Sequence, residues 1–163
     1  ILSEACQKFH GKRILELGSG AGSAAGFLPT DNAYVGSDIS PGLLKIAVNR
    51  FKQAGFKDSE FYVASGDDLP FANETFDLCL CILSLNFIGN HDQVFQSIYN
   101  LLRHDGEFIG CVPVPERSQQ KTTIRGSLLT EIRLQKLCQN GGFKFEPMEA
   151  RNGVLLYFRL SKI

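Results

Sequence analysis

A glycine-rich loop directly after the first apolar run could bind a small ligand. The run, residues 13–17, carries one acidic residue, Glu16, and is followed by Gly18, Ser19, Gly20, Ala21 and Gly22. Glycine permits a tight turn and lets the backbone approach a ligand closely, because it has no Cβ atom. The loop therefore indicates a nucleotide-like ligand, although glycine also closes ordinary turns between a strand and a helix.

A carboxylate further along the chain indicates that this ligand contains adenosine. Asp38 stands at the end of the next apolar run, 20 residues after Gly18. A carboxylate at that point can accept hydrogen bonds from ribose hydroxyls. Ser40 is available to cap the helix that follows, so Asp38 is not needed for that task.

The charge near the loop favours a cationic ligand over an anionic one. A pyrophosphate needs free amides and a helix N-terminus that is clear of negative charge. Glu16 places a carboxylate close to that point, and Ser23 stands where a dinucleotide-binding loop would have Gly or Ala. A nicotinamide-dependent oxidoreductase is therefore a weaker interpretation than a protein that binds a positively charged nucleoside.

Composition excludes several other classes of protein. The length of 163 residues favours a single domain spanning residues 1–163. Because 17 basic residues balance 17 acidic ones, we expect no nucleic-acid partner. No apolar run approaches the ~20 residues of a membrane-spanning helix, so we expect no membrane span. The sequence starts at Ile1 without Met, so we expect the natural chain to begin earlier.

The cysteines and histidines predict neither disulfides nor a metal. The five cysteines are an odd number without a C-x-x-C pair, and the three histidines are scattered. We therefore expect reduced core thiols, a cytoplasmic location and no metal site, with soft-metal or arsenic chemistry at the cysteines as a weaker alternative.

Apolar, β-rich segments alternate with amphipathic ones, which is typical of a parallel sheet covered by helices. The pattern predicts strands at residues 13–17, 33–38, 60–64, 76–83 and 106–112. It also predicts that the small residues after the glycine loop open a helix. Three further helices are expected: one from Ser40 to Gly55, one capped by Asp92 that ends before an Asp105-Gly106 turn, and one over residues 128–139 whose apolar positions include Ile132.

The last part of the chain changes pattern. The runs FKFEPM and VLLYFRL read as an antiparallel β-hairpin closed around Asn152-Gly153. The polar, proline-interrupted segment 113–125 predicts a mobile lid or an irregular loop over the ligand crevice.

Several ordered motifs together resemble the class I S-adenosylmethionine-dependent methyltransferases, and more narrowly the small-molecule group that includes the ubiquinone and menaquinone biosynthesis enzymes. ILELGSGAG resembles the first motif of that family and YVGSDISPGLLKIA the second. FYVASGDDLPFANETFDLCLCILSLNFI resembles the third and fourth motifs, and VFQSIYNLLRHDGEFIG the fifth. The resemblance implies an α/β, Rossmann-like doubly wound fold, with a mostly parallel seven-stranded sheet and a C-terminal antiparallel β-hairpin.

The resemblance also implies roles for individual residues. S-adenosyl-L-methionine would be the cofactor and S-adenosyl-L-homocysteine the product. Its methionine part would lie against Glu16 and the loop residues Gly18, Ser19, Gly20 and Gly22. Asp38 would bind the ribose and Ile39 one face of the adenine. The adenine edge would meet Ser65 and Gly66 first and Asp67 second, whereas Ile82, Leu83 and Ser84 would border the sulfonium.

The catalytic residues and the acceptor stay open at this point. Asn86 stands where the family has a histidine, which removes an obvious general base, and His91 is a weak candidate for that role. A base is not required, because the sulfonium is already activated and the work of the enzyme is placement. No N-P-P-[YF] run follows the fourth strand; in the resembling families that run marks attack by an amide or exocyclic amine nitrogen of DNA or protein. Together with the zero net charge, this favours a small-molecule acceptor.

Two further possibilities concern partners. Members of the family usually carry further N-terminal helices that close over the cofactor, whereas twelve residues precede the predicted first strand in this sequence. Either those helices have been trimmed, or a homodimer partner, another subunit or the loop 113–125 closes the site. The alternative function is a non-catalytic or partner-dependent module that binds S-adenosylmethionine.

Overall fold

Seven strands form one sheet in the computed structural model, which describes residues 1–117, 125–149 and 153–163. In chain order they are β1 (Arg13–Leu17), β2 (Ala33–Asp38), β3 (Ser59–Val63), β4 (Phe76–Ile82), β5 (Leu102–Pro113), β6 (Phe143–Met148) and β7 (Leu155–Lys162). Their spatial order is β3-β2-β1-β4-β5-β7-β6. The first five pair in parallel, and β7 is antiparallel to both β5 and β6. The predicted fold class is confirmed.

Helices cover both faces of the sheet, as a doubly wound fold requires. They are α1 (Leu2–Cys6), α2 (Pro41–Ala54), α3 (His91–Leu101) and α4 (Glu131–Asn140). Phe51 of α2 packs in one buried cluster with Ile14 of β1, whereas Phe95 of α3 packs in a second cluster with Leu15. Because successive residues of β1 point to opposite faces, this central strand is apolar on both sides.

The strand order places a crevice where a ligand is expected. β1 lies between β2 and β4, so the connections on its two sides run in opposite directions across the sheet. Ligands of open α/β sheets bind outside the carboxyl ends of the strands at such a switch point. The loop after Leu17 and the end of β2 at Asp38 both lie at this edge.

The helix predicted after the glycine loop is wrong in extent. The structure has a 3₁₀ turn there, Ser23–Gly26, and the chain then continues towards β2. The turn ends at Gly26 and Pro29 follows closely, and proline lacks the amide that a continued helix needs. The glycine loop therefore packs against α2 rather than opening a long helix of its own.

The boundary between α3 and β5 also differs from the sequence prediction. Asn90, not Asp92, caps α3, because its side chain accepts a hydrogen bond of 3.2 Å from the Gln93 amide. β5 begins at Leu102, so the Asp105-Gly106 pair lies within the strand. An irregular register between β4 and β5 absorbs the additional residues.

The C-terminal elements follow the prediction with smaller changes. α4 begins at Glu131 behind a Thr130 cap, and Ile132 is exposed rather than core-facing. β6 and β7 pair as the predicted antiparallel hairpin, but Asn152 of its turn lies outside the described residues. In the predicted loop 113–125, Pro113 completes β5 and Pro115–Arg117 form a 3₁₀ turn; residues 118–124 lie outside the described part.

Within the three described ranges of the chain, the helices are too short or too polar to cross a membrane.

Candidate cofactor-binding site

A cleft of about 280 Å³ opens at the carboxyl ends of the central strands. Its lining includes six of the residues that the sequence analysis assigns to the cofactor: Gly18, Asp38, Ile39, Ser65, Gly66 and Ser84. Ala64, Phe87, Ile88 and Gly89 complete the lining, whereas Ile82 and Leu83 are not part of it. Pockets for nucleotide-sized ligands combine apolar walls with a few polar groups in this way.

Ser84, which follows β4, packs against the start of the glycine loop. Gly18 has a φ of +65°, a left-handed conformation that favours glycine. A Cβ atom at this position would lie 2.4 Å from the Cβ atom of Ser84. The Ser84 hydroxyl in turn donates a hydrogen bond of 2.9 Å to the Leu17 carbonyl. Ser84 therefore occupies the space that a side chain at residue 18 would need.

Asp38 connects the glycine loop to the start of α2. Its Oδ2 accepts a hydrogen bond of 2.9 Å from the Gly20 amide, and its Oδ1 accepts one of 2.8 Å from the Ser40 amide. A carboxylate oxygen has two lone pairs, so each oxygen can still accept from a ribose hydroxyl. Asp38 lines the cleft and fixes the loop at the same time.

Glu16 is buried beside the cleft rather than in its wall. Its side chain is 3% exposed, and its Oε2 accepts a hydrogen bond of 2.5 Å from the Tyr34 hydroxyl. Burial raises the pKa of Glu16 to about 7, and the negative charge of Asp38 adds to this effect, whereas the hydrogen bond from Tyr34 opposes it. Glu16 is therefore a carboxyl group that changes charge near neutral pH.

Two residues expected at the adenine edge line the cleft, and a third stands next to it. A Cβ atom at Gly66 would lie 2.8 Å from Cδ1 of Ile88, so the backbone and this side chain are tightly packed. The Ser65 hydroxyl donates a hydrogen bond to the Asp67 carboxylate. Asp67 thus orients Ser65 and does not itself line the cleft.

Three loop residues assigned to the methionine part do not line the cleft either. The Gly20 amide is engaged by Asp38, and the Ser19 amide donates to the Ser37 carbonyl over 2.9 Å. Gly22 serves packing, because a Cβ atom there would lie 2.9 Å from Ala47 of α2. These positions shape the loop, and their contact with a cofactor stays a prediction.

The end of β4 carries the residues expected near the sulfonium. Ile82 is the last residue of β4, and Leu83 follows it with a φ of +57° and 47% exposure. A positive φ is unfavourable for leucine. The Leu83 amide donates a hydrogen bond of 2.9 Å to the Cys111 carbonyl, which anchors this turn.

The sequence analysis missed the apolar side of the cleft, Phe87 and Ile88. A 3₁₀ turn, Leu85–Phe87, follows β4 and carries these side chains to the mouth, where Phe87 is 63% exposed. The available signal was the segment LNFI, three large apolar residues around Asn86, between the strand and the helix-capping Asn90. Such a run outside a strand or helix indicates a surface that contacts a ligand or a partner.

The weak candidate base, His91, is the first residue of α3, but its side chain is buried. Its ring is 5% exposed, and its Nε2 lies 3.0 Å from the Leu85 carbonyl. Asn86 is also buried, and its amide donates a hydrogen bond to the Arg125 carbonyl. Both residues hold the segment after β4, and a catalytic role for His91 stays a prediction.

The cysteines are free and buried, as expected of core thiols. Burial raises the pKa of Cys6 to about 11 and of Cys138 to about 12, which keeps them as neutral thiols. Among the described residues, no cluster of His, Cys, Asp and Glu side chains could hold a metal ion.

The fold of the chain is that of solved Rossmann-like methyltransferases. A solved S-adenosylmethionine-dependent methyltransferase of Aquifex aeolicus superposes with a TM-score of 0.82 over 98% of this chain and 87% of that one, at 11% identity. A second similar structure is the complex between the Haloferax volcanii Trm112 methyltransferase activator and the putative methyltransferase. One chain of that complex superposes with a TM-score of 0.80 over 99% of this chain and 86% of that one, at 16% identity. These similarities show the fold.

The sequence places the chain within a family. The family described as "Methyltransferase domain" matches residues 15–110, which is more than half of the chain. The chain therefore belongs to the class I S-adenosylmethionine-dependent methyltransferases. It is 31% identical over 102 residues to the demethylmenaquinone methyltransferase of Tropheryma whipplei. The aligned residues make up 62% of this chain and 41% of that protein. The chain thus spans about two fifths of the length of that relative.

Proposed function

We propose that this protein transfers the methyl group of S-adenosylmethionine to a small, apolar acceptor. The observation that carries the proposal is the cleft at the switch point of the sheet, lined by Gly18, Asp38 and Ile39. The glycine lets a ligand approach the backbone closely, the aspartate has free lone pairs on its carboxylate, and the isoleucine offers an exposed apolar side chain. Those are the groups that a nucleoside with two ribose hydroxyls and a planar base requires.

The residues present fit this cofactor. Asp38 would accept from the ribose hydroxyls, and Ile39, which is 75% exposed, would cover one face of the adenine. Ser65 and Gly66 would meet the adenine edge. Asp38 and the ionised form of Glu16 would make this end of the sheet negative, which suits a cation and opposes a pyrophosphate.

The cofactor supplies a methyl group on a positively charged sulfur, and the protein has to place the acceptor in line with it. Positioning of this kind contributes several kcal/mol without any catalytic side chain. The turn at Leu83, anchored to Cys111, and the packed Ile88 would fix the wall beside the reacting atoms. A rigid, apolar wall also excludes water, which is the competing acceptor.

The exposed apolar side chains at the mouth support an apolar acceptor. Leu83 and Phe87, which follow β4, are 47% and 63% exposed, and a molecule seated against them would remove this surface from water. The name of the Tropheryma whipplei relative gives demethylmenaquinone as the acceptor of that protein. We propose an acceptor of comparable apolar character for this chain.

The same exposed side chains make a second subunit part of the proposal. The Haloferax volcanii neighbour was solved as a complex with a methyltransferase activator. A homodimer or a partner subunit would cover Ile39 and Phe87 and close the cleft. Light scattering of the purified protein, alone and with the acceptor, measures whether a second subunit is present.

We further propose that the protein works in the cytoplasm, because its five buried cysteines are free thiols. Alkylation before and after unfolding should show five thiols that react after unfolding.

The decisive experiment measures thermal stabilisation by a panel of ligands, followed by transfer of a labelled methyl group to candidate quinols. S-adenosylhomocysteine at about 100 times its dissociation constant should stabilise the protein by about 3 kcal/mol. Stronger stabilisation by NAD would contradict the proposal in favour of an oxidoreductase. Binding of S-adenosylhomocysteine without transfer to any acceptor would favour a non-catalytic binding module instead.

A further inference from the structure

A buried tyrosine next to the cofactor loop faces the carboxylate of Glu16. Tyr34 lies on β2 and has no exposed surface, and its hydroxyl donates to Oε2 of Glu16 over 2.5 Å. Glu16 lies on β1, two residues before Gly18. The hydrogen bond therefore joins two neighbouring strands at the point from which the glycine loop starts.

Gly36 provides the space for this contact. It is directly paired with Glu16 in the parallel register of β1 and β2, and it lies on the same face of β2 as Tyr34. A Cβ atom at Gly36 would lie 3.1 Å from Cε1 of Tyr34 and 2.9 Å from Oγ of Ser19. A side chain at residue 36 would thus crowd the ring that reaches towards Glu16.

The tyrosine ring is fixed by other aromatic side chains. It stacks on Phe51 of α2 with a distance of 3.9 Å between the ring centres, and it contacts Phe56 and Phe61 at 6.3 and 5.8 Å. Because the ring is enclosed on several sides, its hydroxyl has a defined direction. Such packing holds a hydrogen-bond donor in place without further ordering when a ligand binds.

The thiols near Glu16 and the Tyr34 hydroxyl stay neutral between pH 6 and pH 8.5. Three thiols on other elements lie near it: Cys6 on α1, Cys81 on β4 and Cys111 on β5. Burial raises the pKa of these thiols to about 11, about 12 and about 11, so they stay neutral. Burial and the charge of Glu16 raise the pKa of Tyr34 well above 10. Asp38 contributes its negative charge from the same face of β2.

We infer that Tyr34 is a positioning residue for the cofactor: its hydroxyl holds Oε2 of Glu16 and leaves Oε1 to accept from the ammonium group of the cofactor's methionine end. The inference rests on the proposed cofactor site and adds a residue to it. A charge-assisted hydrogen bond favours the ionised carboxylate and limits its orientation. Glu16 would otherwise be a buried acid that is largely protonated at neutral pH and unable to attract a cation.

The test compares the affinities of two ligands across pH. Calorimetry measures S-adenosylhomocysteine, which has the ammonium group, and 5′-methylthioadenosine, which lacks the whole amino-acid end, between pH 6 and pH 8.5. The variants are Tyr34→Phe and Glu16→Gln. Tyr62→Phe is a matched control, because Tyr62 on β3 donates an equal hydrogen bond of 2.5 Å to Glu60. Tyr62 lies on the opposite face of the sheet from Glu16, as the strand registers show.

The expected result is specific to one ligand and to pH. The wild-type affinity for S-adenosylhomocysteine should fall as pH decreases through 7, because protonation removes the charge of Glu16. Tyr34→Phe should move this fall to higher pH, with an affinity loss of roughly three- to tenfold at pH 7 and little loss at pH 8.5. Glu16→Gln should weaken binding and remove the fall. Affinity for 5′-methylthioadenosine should not change in any variant.

Each component can fail separately. If the wild type binds neither ligand, the proposed cofactor site is wrong. If Glu16→Gln leaves affinity and pH dependence unchanged, Glu16 does not meet the ammonium group, and the inference falls with it. If Glu16→Gln behaves as expected but Tyr34→Phe matches the wild type, or loses affinity equally at every pH and for both ligands, then Tyr34 is a packing residue only. Thermal melts of each variant confirm that the protein is folded at each pH.

Discussion

Single residues of the glycine loop have structural roles that the structure shows directly. Gly18 has a backbone conformation that favours glycine, and the side chain of Ser84 stands where its Cβ atom would be. The sequence predicted the glycine and its loop, because glycine type and spacing are local. It did not predict the steric partner, because Ser84 is 66 residues away and reaches the loop through the pairing of β1 with β4.

Gly18→Ala should destabilise the protein by about 3 kcal/mol, since it adds strain in the left-handed conformation to a clash with Ser84. Gly11→Ala is the matched control: Gly11 has a φ of +61° but open space around its Cβ position. We expect it to cost about 1 kcal/mol in urea denaturation. In a Ser84→Gly background the cost of Gly18→Ala should fall by at least about 1 kcal/mol. Equal costs in both backgrounds would show that Ser84 is not the obstacle.

Asp38→Ala should weaken S-adenosylhomocysteine binding by about 1.5–3 kcal/mol, because charge-assisted hydrogen bonds to the ribose are lost. The loop should also loosen, since the Gly20 and Ser40 amides lose their acceptor. Asp31→Ala is the control, because Asp31 is an exposed carboxylate before the start of β2. Isothermal calorimetry at pH 7.5 measures both. An unchanged affinity in Asp38→Ala would remove Asp38 from the binding site.

At the scale of elements, the sequence predicted those whose boundaries are marked by local chemistry. The strand bounds of β1 and β2 are confirmed, as is α2, where Ser40 caps and Pro41 opens the helix. The errors lie where tertiary contacts decide. β5 extends back to Leu102 because that residue pairs with Phe76 of β4. No local pattern shows such a pairing.

The N-cap of α3 differs between the sequence prediction, Asp92, and the structure, Asn90. Asn90→Ala should destabilise the protein by about 1 kcal/mol, because the Gln93 amide loses its acceptor. Asp92→Ala should lower the free energy of unfolding by only a few tenths of a kcal/mol, since Asp92 interacts with the helix dipole in the first turn and does not cap the helix. Chemical denaturation of the two variants at pH 7 compares them directly. A larger loss of stability in Asp92→Ala than in Asn90→Ala would show that Asp92 caps the helix, as the sequence predicted.

At the scale of the whole molecule, one titratable carboxyl group is buried near the carboxyl end of the central strand β1. Glu16 is buried among apolar side chains and thiols, and its pKa of about 7 lies above the 4.5 of a free glutamate. The motif around Glu16 predicted a carboxylate at the loop. It could not predict this pKa, because burial and the approach of Tyr34 and Asp38 arise only when β1 and β2 pair.

The stability of the cofactor-free protein should therefore depend on pH through Glu16. A carboxyl group whose pKa is higher in the folded state binds protons more strongly there, so its contribution is present at low pH and is lost as pH rises from about 4.5 through 7. The loss is about 3 kcal/mol in total. Glu16→Gln should remove this part of the slope and make the protein more stable than the wild type at pH 8, although it binds the cofactor less well. Urea denaturation at pH 5, 6.5 and 8 measures the difference. Glu146→Gln at an exposed position is the control. Because Glu146 pairs with Lys144, its pKa is lowered and it titrates below this pH range. Parallel stability curves for the wild type and Glu16→Gln would mean that Glu16 is not a destabilising buried charge.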